Sequence, residues 1–535
     1  MSGNVIIVGG GINGLVAANY LQKNGFHVTV LERNDVVGGA CAVDYFKYKG
    51  KRIPYATGAS VLGLMQDFVF KETGLDKYLT AYLPKHPEII YFESEKDSDA
   101  SSENSLTAIF RMLGKLNKKM LLLDEIFQLK KEFRERWGER GKVNLFFWDL
   151  EKVRSFLIKG YRNAEVPTIE NAEKYLGKKL AKLWISGSAR GLLDYYFTSE
   201  KTKLVFSVPI TMDGPVSLDS PYSAFTLPLM FSGTIFDGKW GIVKGGIWNL
   251  TKTLGMINKK CGVNIITASK VIDVSKETRE VTYVKSREKF KIKGDYIIFA
   301  TDPLTAAKLL HDKELVNKIS RKEFLGTSGK MILIFKKPVI WKNRTNEEDF
   351  DSAFRLIFSV NSLDEYEKTT KAVAENKKDF QPAYFELYCE GAGMRKLGIK
   401  TDYDIVSAIC KNVAFSKKGK DLNSAKKEIE RVILSKIENK KDLIKSIFIT
   451  PKDLRDMFHI PKGNMDHIGV SNGQTFFERN YSPNPEKNFY QFGDNENIFY
   501  CGSGSYPCGS VAGTPAYMCT KQIIKSGSRQ QALLI

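Results

Sequence analysis

Val5-Ile6-Ile7-Val8-Gly9-Gly10-Gly11-Ile12-Asn13-Gly14 lies near the start of the 535-residue chain, and its reading decides the fold. The four apolar residues run without a polar break, as in a parallel strand covered on both faces. Leu15 to Lys23 then has the pattern of a helix, Gly25 closes it, and Val28-Thr29-Val30-Leu31 is a second strand ending in Glu32. The G-x-G-x-x-G at Gly9, Gly11 and Gly14 therefore sits between strand and helix of a βαβ unit. Gly9 permits the tight turn out of the strand, and Gly11 lets a pyrophosphate approach the free N–H groups of the helix N-terminus. Gly14 lets helix and strand pack closely. Glu32, at 18 positions past Gly14 (32 − 14), stands where a carboxylate accepts hydrogen bonds from ribose hydroxyls and repels a ribose phosphate. The unit predicts a dinucleotide site that disfavours NADP.

The segment after Glu32 separates FAD from NAD. Glu32-Arg33 leads into Val36-Val37-Gly38-Gly39-Ala40, a second glycine pair just after the acidic strand end. This arrangement resembles the glutathione-reductase-type FAD fold, in which the second pair lies along the FAD. The fold class expected is α/β: a discontinuous Rossmann FAD domain, a mixed β-sheet substrate domain and a helical insertion.

Working outward, Trp240–Ile247 leads into a helix, and 262–266, 270–274 and 294–301 carry strand patterns that suit a return to the FAD domain. The organisation expected is FAD-binding segments at 1–79, 236–305 and 456–535, a helical or substrate insertion at 80–235, and a substrate domain at 306–455. In the first insertion Leu176, Leu180, Leu183 and Trp184 share one helical face, with Lys178, Lys179 and Lys182 away from it. That suits a helix lying on a membrane or one facing the core, and the core-facing reading is preferred. In the second, 331–335, 354–360 and 384–389 have strand character. Gly391-Ala392-Gly393 follows the last of these but lacks a third glycine in register, so no NAD domain is expected.

Lys plus Arg number 81 against 61 Asp plus Glu, a net charge of +20 that invites an anionic partner such as phospholipid headgroups. The clusters Lys417–Lys420 and Lys440–Lys441 have no interleaved aromatics, which speaks against nucleic acid. Seven scattered cysteines without a C-x-x-C pair read as reduced thiols, and the five histidines include no pair at metal-ligand spacing. No metal is expected. No apolar run approaches the roughly 20 residues that span a bilayer, so the expected place is the cytoplasm, with peripheral membrane attachment open.

Near the other end, Asn497–Cys501 reads as a strand into Gly502-Ser503-Gly504-Ser505-Tyr506-Pro507-Cys508-Gly509-Ser510-Val511-Ala512-Gly513, followed by a helix from about Ala516 to Ile524. This turn resembles the C-terminal signature of the phytoene desaturase family of FAD-dependent oxidoreductases, approximately G-x-G-x-x-P-G-G-G-V-x-G. The segments 240–246, 450–454 and 463–467 narrow the likeness to the branch containing pyridine nucleotide-disulfide oxidoreductase domain-containing protein 2. The family's run of three glycines is here Cys508-Gly509-Ser510, and its polar or His position is Tyr506. If this turn lies beside the flavin, as the resemblance implies, Cys508 and Tyr506 change what the ring touches. The resemblance implies FAD held by Gly9, Gly11, Ile12, Asn13, Gly14, Glu32 and Arg33, by Gly38, Gly39, Ala40 and Val271, and by Gly502, Gly504, Gly509 and Val511.

The resemblance also implies hydride transfer between a C–H of an extended apolar substrate and flavin N5, with oxygen or a quinone as external electron acceptor. Such a site needs no strong base if an allylic cation delocalises, and His467 and Tyr506 are the candidate pocket acid/base groups. A flavin amine oxidase shares the cofactor fold, and a prenyl- or lipid-binding protein of the Rab GDP-dissociation-inhibitor type shares it without flavin. Both stand as alternatives.

Overall fold

The computed structural model describes residues 3–84, 88–94, 119–210, 213–346, 349–375, 382–415 and 419–532. Lys417 and Lys418 of the first lysine cluster lie outside them. The strand Asn4–Val8 (β1) feeds the helix Ile12–Lys23 (α1), which returns to the strand His27–Leu31 (β2). Both strands lie in a five-stranded parallel sheet ordered Ile498–Tyr500, Tyr296–Phe299, β1, β2, Asn264–Ile266. Val5 to Val8 are each at most 3% exposed, because layers cover both faces of the sheet. Val5 and Ile7 face one core with α1, and Ile6 and Val8 face a second core behind them. Since all five strands run the same way, Gly9, Glu32, Ala300 and Gly502 leave from one edge of the sheet. That carboxyl edge is where open α/β sheets bind ligands.

A second, six-stranded sheet is ordered Leu443–Ile449, Ser328–Phe335, Asp404–Lys411, Tyr384–Tyr388, Phe354–Phe358, Glu88–Phe92. All its pairs are antiparallel except the last, where Glu88–Phe92 runs parallel to Phe354–Phe358. The period of two sorts its side chains. Met331, Leu333, Phe335, Leu387, Val406, Ala408 and Cys410 form a dry core with Ile429, Val432 and Ile433 of the helix Gly419–Ser435. The opposite face carries Lys330, Glu386, Ser407 and Lys411. Glu386 and its cross-strand partner Ile409 are partly exposed although they sit in the middle of the sheet, so an internal cleft opens above them.

Two expectations change. The helix drawn through Leu176, Leu180, Leu183 and Trp184 is broken: Ile169–Leu176 ends at Gly177 (φ 82°), followed by Lys178–Ala181 and a π-helical turn at Lys182–Ser186. Glycine takes that φ without a Cβ penalty, so the chain turns there. The four apolar residues still face the main core, and Trp184 donates its indole N–H to the Tyr196 hydroxyl at 2.9 Å. The C-terminal helix is also longer than drawn, spanning Thr514–Ala532. Gly391 and Gly393 lie in the helix Glu390–Lys396, where a Cβ on Gly391 would fall 1.9 Å from Asp404 Oδ1. Those glycines serve close helix–strand packing. Among the described residues no helix is long and apolar enough to cross a membrane.

Candidate active site

The first glycine turn leaves β1 through Gly9, whose φ of +110° a side chain would strain. Gly11 is the N-cap of α1 and offers no side-chain cap, and the first turn carries no acidic residue. Its N–H groups are thus left for an anion. Asn13, only 5% exposed, has an Oδ1 without a hydrogen-bond partner in the first turn of α1, while Ile12 packs on the core. A Cβ on Gly14 would lie 1.9 Å from the Gly9 carbonyl oxygen, which explains why only glycine fits there.

The second glycine pair closes on the first. Gly38 donates its N–H to the Gly10 carbonyl at 3.0 Å, and a Cβ on Gly39 would come within 3.1 Å of Gly11 Cα. Gly39 and Ala40 are exposed beside it, as is Arg33. Glu32 is buried, its Oε2 accepting from Gly10 N–H at 2.7 Å and its Oε1 from Asn34 N–H at 2.9 Å. Burial raises its carboxyl pKa, and those hydrogen bonds pull the other way. Ser269 N–H donates to the Glu32 carbonyl at 2.8 Å, so Val271, on the strand Lys270–Val274, emerges next to that acid.

The C-terminal turn is pinned from below by Arg479, which is fully buried. Its guanidinium donates to six main-chain carbonyls, those of Ser503, Ser505, Asp466, Ile468, Gly469 and Gln474. The fork-shaped guanidinium can bridge several backbone segments in a way that an ammonium cannot. Gly502 and Gly504 pack on Thr301, Pro303 and Tyr500, and a Cβ on Gly509 would meet Asp466 Oδ1 at 2.8 Å. Ser510 (φ 55°) and Val511 (φ 60°) follow in left-handed conformation, an outlier for a β-branched residue and the kind of strain that clusters at ligand sites. Thr514, at the start of the next helix, keeps a buried hydroxyl oxygen without a partner.

His467 lies beside this turn, its Nδ1 3.5 Å from the Tyr500 hydroxyl. Burial, reinforced by the nearby Arg479 charge, pushes its pKa down to about 3, so the ring is neutral at physiological pH. Tyr506 is 3% exposed, with ring centroids of Tyr161, Phe476, Phe489 and Phe225 at 5.9, 5.9, 6.1 and 6.4 Å. Burial raises its phenol far above the ordinary value, and it likewise raises the Cys508 thiol, which stays protonated and inert as a nucleophile.

Three buried charged residues, and the partly exposed Glu386, escape a reading of motifs. Lys330 donates to the Gly58 carbonyl and to Ser60 Oγ, both at 2.7 Å, and burial lowers its pKa to about 8. Lys411 donates to the Gly214 carbonyl at 2.8 Å and to Thr327 Oγ1 at 2.9 Å, with its pKa also lowered by burial to about 8. Asp466, under Gly509, is raised to about 6 by burial, and Glu386 in the internal cleft to about 7 for the same reason. The one signal in the chain was a lone lysine opening the apolar run Met331–Phe335.

The two opposed glycine turns, the uncapped helix start, and the orphaned Asn13 and Thr514 oxygens fit a dinucleotide flavin. Residues 12–376 match the family model of flavin containing amine oxidoreductases. The chain belongs to this family. It is an FAD-dependent oxidoreductase. Among its relatives is pyridine nucleotide-disulfide oxidoreductase domain-containing protein 2 of Rattus norvegicus, 21% identical over 552 residues that cover 95% of this chain and 91% of the relative. The 4,4'-diaponeurosporene oxygenase of Staphylococcus aureus (strain USA300) is 23% identical over 342 residues, 62% of each chain. Both agree with the resemblance carried by the C-terminal turn. The fold is shared with a putrescine oxidase triple mutant (TM-score 0.60, 14% identity, 99% of both chains) and with cyclohexylamine oxidase of Brevibacterium oxydans IH-35A (TM-score 0.55, 13% identity, 99% of both chains).

Proposed function

We propose that this FAD-dependent oxidoreductase removes a hydride from a carbon of an extended apolar small molecule (polyene, isoprenoid or lipid-like). The reaction would be a desaturation, a dehydrogenation, or a related saturation or isomerisation. The bound flavin supplies the hydride acceptor at N5, and an external oxidant, oxygen or a quinone, takes the electrons onward. The chain binds, orients and dries the reacting carbon. One observation carries the reading: Tyr161, Phe225, Phe476, Phe489 and Tyr506 form a buried aromatic cluster packed directly against the C-terminal turn. The nearby cation, Arg479, is committed to carbonyls and would repel an ammonium substrate. The Staphylococcus aureus relative, named for a carotenoid substrate, supports the same class.

Within this reading His467 and Tyr506 enter uncharged, as hydrogen-bonding groups at the pocket rather than as strong bases. Ile12, Asn13 and the first glycine turn would hold the pyrophosphate, Glu32 and Arg33 the ribose region, Val271 the neighbouring base, and Gly509 with Val511 the ring edge. The basic surface, at +20, would favour an anionic membrane on which an apolar substrate could be delivered to a cytoplasmic enzyme.

An amine substrate is the second reading. Glu386 favours it: a carboxyl held near pKa 7 in an internal cleft would ionise against an ammonium group. Anaerobic bleaching of the flavin absorbance separates the two. The first reading expects bleaching by polyenes or isoprenoids and none by primary amines or polyamines. The opposite pattern, lost in Glu386→Gln, would replace it with the second.

A further inference from the structure

Behind the second glycine turn, four buried polar side chains from three distant parts of the chain form one unbroken hydrogen-bonded line. Lys330 Nζ donates to Ser60 Oγ at 2.7 Å, Ser60 Oγ and Ser407 Oγ are 3.0 Å apart, and Ser407 Oγ donates to Glu390 Oε1 at 2.5 Å. The two end bonds have the same sense, lysine and then serine as donor, and the middle hydroxyl pair can adopt it. A proton can therefore pass from lysine to carboxylate without reorientation of a heavy atom. Lys330 is 1%, Ser60 6%, Ser407 1% and Glu390 5% exposed, so water does not short-circuit the line.

Lys330 pairs across the sheet with the partly exposed Ile409, and its second acceptor is the carbonyl of Gly58. Gly58 packs against Ala40, where an added Cβ would fall 2.2 Å from the Ala40 oxygen. The line thus begins against the segment that carries Gly38 and Gly39.

We propose that Ser60, Ser407 and Glu390 form a proton relay that drains Lys330 during turnover. A bound flavin would supply the hydride acceptor, and oxidation of the substrate C–H would then leave a proton to be removed from the neighbouring carbon. The neutral Lys330 amine takes that proton. The ammonium then gives one to Ser60 Oγ, the Ser60 hydroxyl proton moves to Ser407, and the Ser407 hydroxyl proton moves to the Glu390 carboxylate. The amine returns to its neutral form, Glu390 releases the proton to water at its narrow exposed edge and returns to the carboxylate, and the two electrons leave through the external acceptor. The origin of the proton rests on the C–H oxidation proposed above, and the relay itself does not. Burial makes a neutral Lys330 accessible, at a pKa of about 8, against the opposing pull of Glu390 and Cys41. Glu386 and Lys411 share its sheet face, and burial holds Cys41 protonated by pushing its thiol up to about 12.

The test uses the FAD-loaded full chain with 15N-labelled lysine, Lys330→Met serving to assign the Nζ resonance. The relay expects Lys330 to titrate near pH 8, and at lower pH in Glu390→Gln, which keeps the hydrogen-bond acceptor and loses the charge. Ser407→Ala should leave that titration in place and slow exchange of the Nζ protons with water at least tenfold, with Ser407→Thr restoring it. Unchanged exchange in Ser407→Ala, or an unmoved titration in Glu390→Gln, would overturn the relay. Glu390→Gln is isosteric and decides the matter even if Ser407→Ala does not fold. Neither readout needs a substrate, so failure of the relay and failure of the apolar-substrate reading are separate results.

Discussion

The Glu32 carboxylate is bonded to the Gly10 main-chain N–H at 2.7 Å, which ties the acid at the end of β2 to the glycine turn at the end of β1. The two halves are therefore one unit: the side chain proposed for the ribose also sets the turn proposed for the phosphates. Removing it by Glu32→Ala should weaken FAD binding by about 1.5–3 kcal/mol, the scale of lost charge-assisted hydrogen bonds. Fluorescence titration of the apoprotein with FAD measures this, and an unchanged Kd would take Glu32 off the cofactor.

Gly11 and Gly14 should fail in different ways. The nearest atom to a Cβ on Gly11 is Gly39 Cα at 3.8 Å, an ordinary contact, so the chain has room for a Cβ there, and Gly11→Val is expected to act mainly by blocking the cofactor. A Cβ on Gly14 meets the Gly9 oxygen at 1.9 Å, so Gly14→Ala forces β1 and α1 apart at a cost of roughly 1–3 kcal/mol. Thermal denaturation beside flavin absorbance should show Gly11→Val folded without flavin and Gly14→Ala destabilised even before FAD is added. Stoichiometric flavin in purified Gly11→Val would contradict the assignment of the turn.

Arg479 holds the C-terminal turn to the 466–474 loop through six carbonyls. Arg479→Lys keeps the charge but cannot bridge them, and buried carbonyls lose their donors. A stability loss of about 3 kcal/mol or more is expected, together with weaker FAD binding. Calorimetry checks the first and flavin retention on desalting the second. A variant as stable as the parent would mean that water replaces the guanidinium.

The pH dependence of stability carries two opposed contributions. His467 titrates near 3 in the folded chain and near 6.5 when unfolded, so the unfolded chain binds the extra proton and stability is lost as pH falls from 6.5 towards 3. Asp466 is raised to about 6 from 3.8, so the folded chain binds the extra proton and gains stability as pH falls from 6 towards 3.8. His467→Gln should flatten the acid-side loss, and Asp466→Asn should steepen it. Urea midpoints across pH 3–7 read both signs, and parallel curves for all three proteins would show that neither group is buried as described.

The dinucleotide half of the site was legible in the chain because its parts are local. Residues 5–39 contain the strand, the uncapped helix start, the acid and both glycine turns, and covalent continuity alone brings them together. The same holds for the turn from Gly502 to Gly513, for the apolar strand at 331–335 and for FAD as the cofactor. Local pattern failed where a single residue outweighed it: the apolar stripe through Trp184 predicted one helix, and the left-handed Gly177 breaks it.

Contacts between residues hundreds of positions apart were decided by the tertiary structure alone. Ser60, Lys330, Glu390 and Ser407 each look ordinary in sequence, and a serine or lysine beside a strand is usually solvated. Packing of the six-stranded sheet over the segment after Ala40 takes them out of water, and a buried polar group must then find a partner. Periodicity told which residues lie on strands, and could not tell that Glu88–Phe92 joins the far sheet or which face of that sheet meets the flavin domain. That choice set the partners of Lys330, since desolvation and hydrogen bonding depend on neighbours in space rather than in sequence.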